Sequence, residues 1–245
     1  MSNLFHVSDL HFGAEDRAAL DAFAATVRDE RPDAVILTGD LTMRARRHEY
    51  AAATEWLNTL GVPLSIECGN HDLPYFNPWN RFVTPYARFE RLERAIERPI
   101  DLPNVAIVPL KTTARAQLRL NWSQGQVSSG RLNKAVENLK AVPAGRVRIV
   151  ACHHPLSDAP GSHTEGRTRG GRAALALLAA AGADLVLSGH VHDAFDIVWT
   201  EGPRPIRMVG AGTLSERVRA TRPSFNQITI TEGKIEVKER TLVAA

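Results

Sequence analysis

The sequence predicts an α/β fold organised around two β-sheets. Short β-branched or apolar runs that end in Gly, Asp, Asn or His alternate with Ala-, Leu- and Arg-rich stretches of helical period. After Ile206 the helical pattern stops, and further apolar runs are joined by turns such as Glu232-Gly233. We therefore expect mostly parallel β-α units in the first part of the chain and an antiparallel portion at its C-terminal end.

The individual elements follow from the local pattern of apolar and turn residues. Nine short apolar runs predict strands, at 4–7, 34–37, 64–68, 105–110, 147–152, 185–188, 206–209, 225–230 and 235–238. Five stretches predict helices, at 16–28, 48–60, 78–97, 132–140 and 171–181. In the third helix the spacing of Trp79, Phe82, Tyr86 and Phe89 favours core packing over a stacking surface for a base.

Composition limits the class of protein. The apolar share of 44% and the charged share of 23% are typical of a soluble globular protein, and no stretch approaches the roughly 20 apolar residues of a membrane span. We expect one domain over residues 1–245, because no Pro-, Gly- or Ser-rich linker divides the chain. The first seven residues lack the pattern of a secretory signal, and Cys68 and Cys152 are too few for a disulfide framework, so we expect a cytoplasmic protein.

Metal-ligating side chains directly follow five of the predicted strands. The five motifs are Asp9-Leu10-His11, Gly39-Asp40, Gly69-Asn70-His71-Asp72, His153-His154-Pro155 and Gly189-His190-Val191-His192. Taken alone, the first motif is as compatible with a helix cap and a surface histidine as with a metal site. Asn70 alone is typical of a turn. The carboxyl ends of parallel strands, however, meet in one crevice, so together the motifs predict a single site.

The residue types and their number predict two metal ions. Seven residues are candidate ligands: Asp9, His11, Asp40, Asn70, His153, His190 and His192. Carboxylate and imidazole without thiolate suit Mn²⁺, Fe, Zn²⁺ or Co²⁺. The set exceeds one tetrahedral site but suits two ions that share a carboxylate, for which we favour Asp40. Gly39, Gly69 and Gly189 precede ligands where the backbone must turn off a strand.

The ordered motifs resemble those of the calcineurin-like metallophosphoesterase family, D-x-H, G-D, G-N-H-D/E, H and G-H-x-H. The resemblance spans Asp9 to His192, about three quarters of the chain. It implies a four-layer α/β/β/α sandwich of two mixed sheets flanked by helices. It also implies a phosphoric ester hydrolase with a dinuclear metal centre, in which a metal-bound hydroxide attacks phosphorus.

The resemblance implies a role for each motif residue. The first ion would be held by Asp9, His11, Asp40 and His192, and the second by Asp40, Asn70, His153 and His190. The family's H-x-P pattern favours His153 over His154 as the ligand. His71 would orient the phosphate or donate a proton to the leaving oxygen, and Asp72 would fix the ring of His71.

Residues near the motifs are candidates for substrate binding. They are Arg167 and Arg169 in the polar loop between the fourth and fifth motifs, Thr42 and Arg44 after the second, and Tyr75 after the third. A solvated connector for the arginines and a helix cap for Thr42 are the alternatives. A further basic cluster at Arg217, Arg219 and Arg222 is typical of a solvated surface.

Three functions are compatible with this site. The motifs look most like those of bacterial class III cyclic-nucleotide phosphodiesterases, which implies a small phosphorylated substrate, with a cyclic nucleotide as one candidate. Alternatives are a phosphomonoesterase or nucleotide-lipid pyrophosphatase, and a catalytically silent metal-binding interaction module. The absence of an accessory domain argues against a nucleic-acid substrate, and the sequence does not predict an oligomeric state.

Overall fold

The computed structural model describes residues 1–114, 123–158, 168–217 and 222–242. The strands are β1 (Ser2–Val7), β2 (Ala34–Leu37), β3 (Leu64–Ile66), β4 (Val105–Pro109), β5 (Val147–Ala151), β6 (Leu185–Ser188), β7 (Phe195–Trp199), β8 (Ile206–Gly210), β9 (Ser224–Thr231) and β10 (Lys234–Thr241). The helices are α1 (Arg17–Glu30), α2 (Arg47–Thr59), α3 (Pro78–Val83), α4 (Ala87–Ile96), α5 (Ser129–Ala141) and α6 (Gly171–Ala180). Within the described ranges, no helix has the length and apolar character needed to cross a bilayer.

The strands form two mixed five-stranded sheets. The first has the order β10-β9-β1-β2-β3, in which β1, β2 and β3 run parallel and β9 returns antiparallel beside β1. The second has the order β4-β5-β6-β8-β7, in which only the pairing of β7 with β8 is antiparallel. The five motifs follow the carboxyl ends of the parallel strands β1, β2, β3, β5 and β6.

Alternating side chains on these strands build a layered core. Leu4 and Ile36 point between the two sheets, where they pack with Ile149 and Leu187 of the second sheet. The neighbouring residue Phe5 faces the opposite way and packs with residues of α1, α2 and α4. Residues of α5 and α6 cover the outer face of the second sheet in the same manner. This arrangement confirms the predicted sandwich of two sheets flanked by helices.

Two predicted details are wrong. The helix expected over 78–97 is divided into α3 and α4, because Pro85 has no N–H to donate and disfavours helical geometry at Thr84, where φ is −132°. The interrupted spacing leaves Trp79 74% and Phe82 46% exposed, so these two rings are not in the core, whereas Phe89 is fully buried. Strand β7 was also not predicted, because its Asp196 interrupts the apolar run.

Candidate metal centre

Unusual backbone geometry marks the predicted ligands. Of the eight non-glycine residues with positive φ in the described chain, five are predicted ligands. They are Asp9, His11, Asp40, His190 and His192, with φ between 48° and 72°. Left-handed geometry costs a non-glycine residue about 1–3 kcal/mol and is concentrated at functional sites. The loops after β1, β2 and β6 thus hold strained residues at one edge of the molecule.

The first group of predicted ligands consists of Asp9, His11, Asp40 and His192. The Nε2 atoms of His11 and His192 are 3.2 Å apart, and Asp9 Oδ1 lies 3.5 Å and 3.2 Å from them. Asp40 Oδ2 completes the group at 3.8 Å from His11 Nε2. Ligand bonds of about 2.1 Å around one ion place neighbouring donor atoms roughly 3–3.5 Å apart, so these atoms are spaced to surround one cation.

Two buried polar atoms of this group, Asp9 Oδ1 and His11 Nδ1, have no hydrogen-bond partner among the described residues. Asp9 Oδ1 is buried and receives no hydrogen bond from the described residues, whereas Asp9 Oδ2 accepts one from the backbone N–H of His190 at 2.8 Å. Nδ1 of His192 faces the carbonyl of Arg217 at 2.8 Å. Donation from Nδ1 leaves the lone pair of Nε2 directed at Asp9, which is the tautomer that a metal ligand requires. The group therefore fits a divalent ion.

The second ligand group consists of Asp40, Asn70, His153 and His190. His153 Nε2 is 3.4 Å from Asp40 Oδ2 and 3.0 Å from Asn70 Oδ1, and the rings of His153 and His190 are 5.2 Å apart. The Nδ1 of His153 is held by the carbonyl of Thr38 at 2.7 Å. The lone pairs of His153 Nε2, Asp40 Oδ2 and Asn70 Oδ1 then converge on one point. A proton or a metal ion is needed between them. Asp40 belongs to both groups.

His154 has a different environment from His153. Its Nδ1 lies 2.9 Å from the hydroxyl of Thr112 and its Nε2 lies 2.8 Å from the carbonyl of Ser123. Burial, followed by the neighbouring His190, lowers the pKa of His154 well below its usual range. With both nitrogens already hydrogen-bonded, this neutral ring acts as a support for the fourth motif, which favours His153 as the ligand.

Charge in the cluster is balanced by the histidines. Burial opposes ionisation of Asp40, but the neighbouring histidines, His153 foremost, together outweigh it and lower the pKa of Asp40. Burial lowers the pKa of His153 as well, yet the charge of Asp40, the hydrogen bond to it and the charge of Asp9 together reverse the effect and raise that pKa to about 9. Burial, with His153 adding to it, lowers the pKa of His190 to about 3. Buried carboxylates at this edge thus require a neighbouring cation.

The glycines before the ligands permit close approach of the loops. A Cβ on Gly69 would overlap the backbone and carboxylate of Asp40. A Cβ on Gly189 would likewise overlap the hydroxyl of Ser8, and one on Gly39 would lie 2.6 Å from Nδ1 of His153. Gly39 also has a φ of 97°. Side chains at these positions would force the ligand-bearing loops apart.

The ring of His71 is held by a group other than the predicted one. We expected Asp72 to fix this ring, but Nδ1 of His71 is 2.7 Å from the carbonyl of Met43. The Asp72 carboxylate instead accepts hydrogen bonds from the backbone N–H groups of Leu41, Thr42 and Gly69. Burial, then the charge of Asp40, raises the pKa of Asp72 to about 7, although these three donors oppose the rise. Asp72 therefore joins the second and third motifs.

The predicted substrate-binding residues have different surroundings. Thr42 is fully buried, and its hydroxyl bonds to Asp72 and to the N–H of Ala45, so its predicted contact with substrate is wrong. Arg44 and Tyr75 are exposed; Arg44 lies 5.5 Å from the centre of the Phe76 ring.

Arg167 and Arg169, of the loop between the fourth and fifth motifs, stay predicted substrate contacts. Arg169 is exposed, and its backbone bonds to Gly125 and Val127. Arg167 lies outside the described residues.

Sequence reasoning missed Arg217, which it assigned to a solvated surface. The guanidinium Nη1 of this half-buried residue lies 3.1 Å from His71 Nε2 and 3.5 Å from His11 Nε2. The loop that carries it is attached to the first motif, because the hydroxyl of Thr213 donates to the carbonyl of Asp9 at 2.7 Å. The signal available in the sequence was its position soon after β8, a strand parallel to the motif-bearing β6.

Comparison with known sequences points to one family. A family model described as calcineurin-like phosphoesterase matches residues 2–194. A glycerophosphodiester phosphodiesterase of Enterobacter lignolyticus is 35% identical over 91 residues, which cover 31% of this chain and 33% of the relative. A probable cyclic nucleotide phosphodiesterase of a Synechococcus species is 30% identical over 81 residues, or 29% and 32% of the two chains. Each match thus spans about a third of the curated relative.

Comparison with solved structures shows the same fold. A dimetal phosphatase from Danio rerio superposes with a TM-score of 0.66 at 13% identity, over 98% of this chain and 96% of its own. Purple acid phosphatase PPD1 from yellow lupin (Lupinus luteus) seeds gives a TM-score of 0.65 at 13% identity, over 98% of this chain and 51% of its own. At such identities the likeness establishes a shared fold alone.

Proposed function

Because this chain belongs to the calcineurin-like phosphoesterase family, and is therefore a phosphoric ester hydrolase, we propose that it is a two-metal phosphodiesterase acting on a small phosphodiester. The diester preference is supported by the two curated relatives, whose names specify a glycerophosphodiester and a cyclic nucleotide. We also propose that the phosphodiester is nucleotide-like. We further propose that residues 1–245 act as one cytoplasmic domain, in line with the free thiols of Cys68 and Cys152.

The observation that carries the proposal is the position of Asp40 between the two ligand groups. Its Oδ2 lies 3.8 Å from His11 Nε2 in one group and 3.4 Å from His153 Nε2 in the other. Asp40 would therefore be the residue shared by two divalent ions. The imidazole, carboxylate and amide donors suit Mn²⁺ or Fe, with Zn²⁺ or Co²⁺ as alternatives.

The chain's own residues then act on the phosphoester. When bound, two such ions supply Lewis acidity for displacement at phosphorus. His71 donates Nδ1–H to Met43, which directs its Nε2 towards the first ligand group, where its ring lies 4.8 Å from that of His11. Nε2 is therefore the atom that would take up a proton and, in the protonated ring, pass it to the leaving oxygen. Tyr75, together with the Phe76 ring beneath Arg44, would form a wall for the non-phosphate part of the substrate.

Hydrolysis by the metal-stripped chain after metal addition tests the proposal. Bis(p-nitrophenyl) phosphate, cyclic nucleotides and p-nitrophenyl phosphate would be compared with Mn²⁺, Fe²⁺, Zn²⁺ or Co²⁺ added back. We expect metal-dependent hydrolysis with the diesters preferred. Activity on the monoester alone would overturn the phosphodiesterase assignment in favour of a phosphomonoesterase. Silence on every substrate with every metal would count against turnover and favour a metal-binding interaction module.

A matched pair of variants separates the site from general stability. Asp40→Asn keeps the shape of the side chain but removes the charge shared by both groups, and we expect it to lose metal-stimulated hydrolysis. Asp21→Asn makes the same chemical change at an exposed position on α1 and should behave as wild type. Full activity in Asp40→Asn would show that Asp40 is not the bridge.

A further inference from the structure

Among the described residues Arg217 has no carboxylate partner, although it is half-buried beside a cluster of charged groups. Within the described ranges, its guanidinium contacts are His71 Nε2, His11 Nε2 and the sulfur of Met43 at 3.9 Å, all of which are uncharged acceptors when the rings are neutral. Three other arginines of the fold do pair with carboxylates: Arg204, Arg207 and Arg240 bond to Asp184, Asp196 and Glu30, respectively. A guanidinium that contacts no anion in the described part of the chain, and that lies next to the ligand groups, is poised to receive one.

The direction of this guanidinium is fixed by the protein. Because His71 donates its Nδ1 hydrogen to Met43, its Nε2 is an acceptor, and Arg217 Nη1 donates to it at 3.1 Å. The backbone N–H of Arg217 is 3.3 Å from the hydroxyl of Ser215, while its carbonyl accepts from His192. Arg217 is thus anchored at both its backbone and its tip.

We propose that Arg217 binds a non-bridging phosphoryl oxygen of the substrate through its guanidinium. The same residue orients the ligand His192 through its backbone carbonyl. A planar guanidinium offers several donors in a fixed geometry and keeps its charge at all working pH values, which suits recognition of a phosphate oxygen. In this arrangement His71 has a second role besides proton transfer: its Nε2 accepts a hydrogen bond from the guanidinium and positions it before phosphate binds. The inference rests on the proposed phosphoesterase function of the site.

Substitution of the side chain separates phosphate binding by the Arg217 guanidinium from orientation of His192 by the Arg217 backbone carbonyl. Arg217→Met removes the guanidinium but keeps the backbone carbonyl that holds His192, so the metal content should equal that of wild type. Binding of inorganic phosphate to the metal-loaded chain, measured by calorimetry, should weaken roughly 10-fold to 100-fold, the usual range for a lost charge-assisted hydrogen bond. Arg217→Lys keeps the charge but lacks the planar guanidinium, so its phosphate affinity should lie between those of wild type and Arg217→Met.

Two controls make the outcome decisive. Arg222→Met changes an exposed arginine five residues further along the chain and should leave phosphate affinity unchanged. Wild-type hydrolysis of bis(p-nitrophenyl) phosphate is measured in parallel, because its absence would refute the proposed function rather than the role of Arg217. Phosphate affinity and kcat/KM of Arg217→Met within twofold of an active wild type would overturn the role in substrate binding. So would a loss of metal from Arg217→Met, which would assign the side chain to metal-site integrity instead.

Discussion

Removal of the Asp72 carboxylate should destabilise the protein more than any surface change of equal size. This buried carboxylate accepts hydrogen bonds from the N–H groups of Leu41, Thr42 and Gly69 at 3.2, 2.9 and 2.9 Å, and from the Thr42 hydroxyl at 3.1 Å. Asp72→Ala leaves these donors without an acceptor. An unsatisfied buried donor costs about 1–3 kcal/mol, and the costs add incompletely when water enters, so we expect a loss of about 3–5 kcal/mol.

Urea unfolding of the metal-stripped chain measures this loss of unfolding free energy, and thermal unfolding measures the accompanying shift in Tm. For a chain of this size each kcal/mol corresponds to a shift in Tm of about 2–4 °C, so Asp72→Ala should melt about 6–20 °C below wild type. Asp72→Asn retains one oxygen acceptor and should lose less. Asp21→Ala on the exposed face of α1 is the control and should change stability by less than about 0.5 kcal/mol. If Asp72→Ala unfolded with the stability of that control, Asp72 would not join the second and third motifs as argued.

The remaining predictions concern the histidines of the fourth motif, Gly69 and the buried carboxyl group of Glu67. His153→Ala should lose one bound ion per chain by elemental analysis, whereas His154→Gln should keep both; equal losses would contradict the assignment. Gly69→Ala should lower metal affinity and cost about 1–3 kcal/mol in urea unfolding, because its Cβ overlaps Asp40; unchanged metal content would refute this. Burial, then the charge of Glu97, raises the pKa of Glu67 well above its usual value. The folded state therefore holds a proton that the unfolded state releases, so stability falls as pH rises from about 4.5 through the raised pKa. Glu67→Gln should gain stability relative to wild type at pH 8 but not at pH 4, and a constant difference would oppose this account.

The position of the site was predictable because it depends on strand ends. Each ligand-bearing motif begins within a few residues of a strand terminus, and parallel neighbours bring those termini to one edge. The same local signals predicted the strands, since their apolar residues alternate between two buried faces. Pro85 was an equally local signal, and it explains the division between α3 and α4.

The finer contacts depend on loop paths that no short pattern encodes. Asp72 was expected to support His71, its neighbour in sequence, but its carboxylate faces backbone N–H groups of the preceding motif's loop. Arg217 reaches His71 from 146 residues away, which only the return of the chain through β8 makes possible. Side chains that act across such distances are found from the folded structure rather than from spacing.

A metal titration of the stripped chain tests the central claim, that two ions share Asp40, most directly. Mn²⁺ would be added in steps while hydrolysis of bis(p-nitrophenyl) phosphate and the bound metal are recorded on the same samples. We predict that activity rises until two ions are bound per chain and that Asp40→Asn reaches neither the second ion nor the activity. Full activity at one ion per chain, or an Asp40→Asn variant that binds two ions and turns over normally, would contradict the claim.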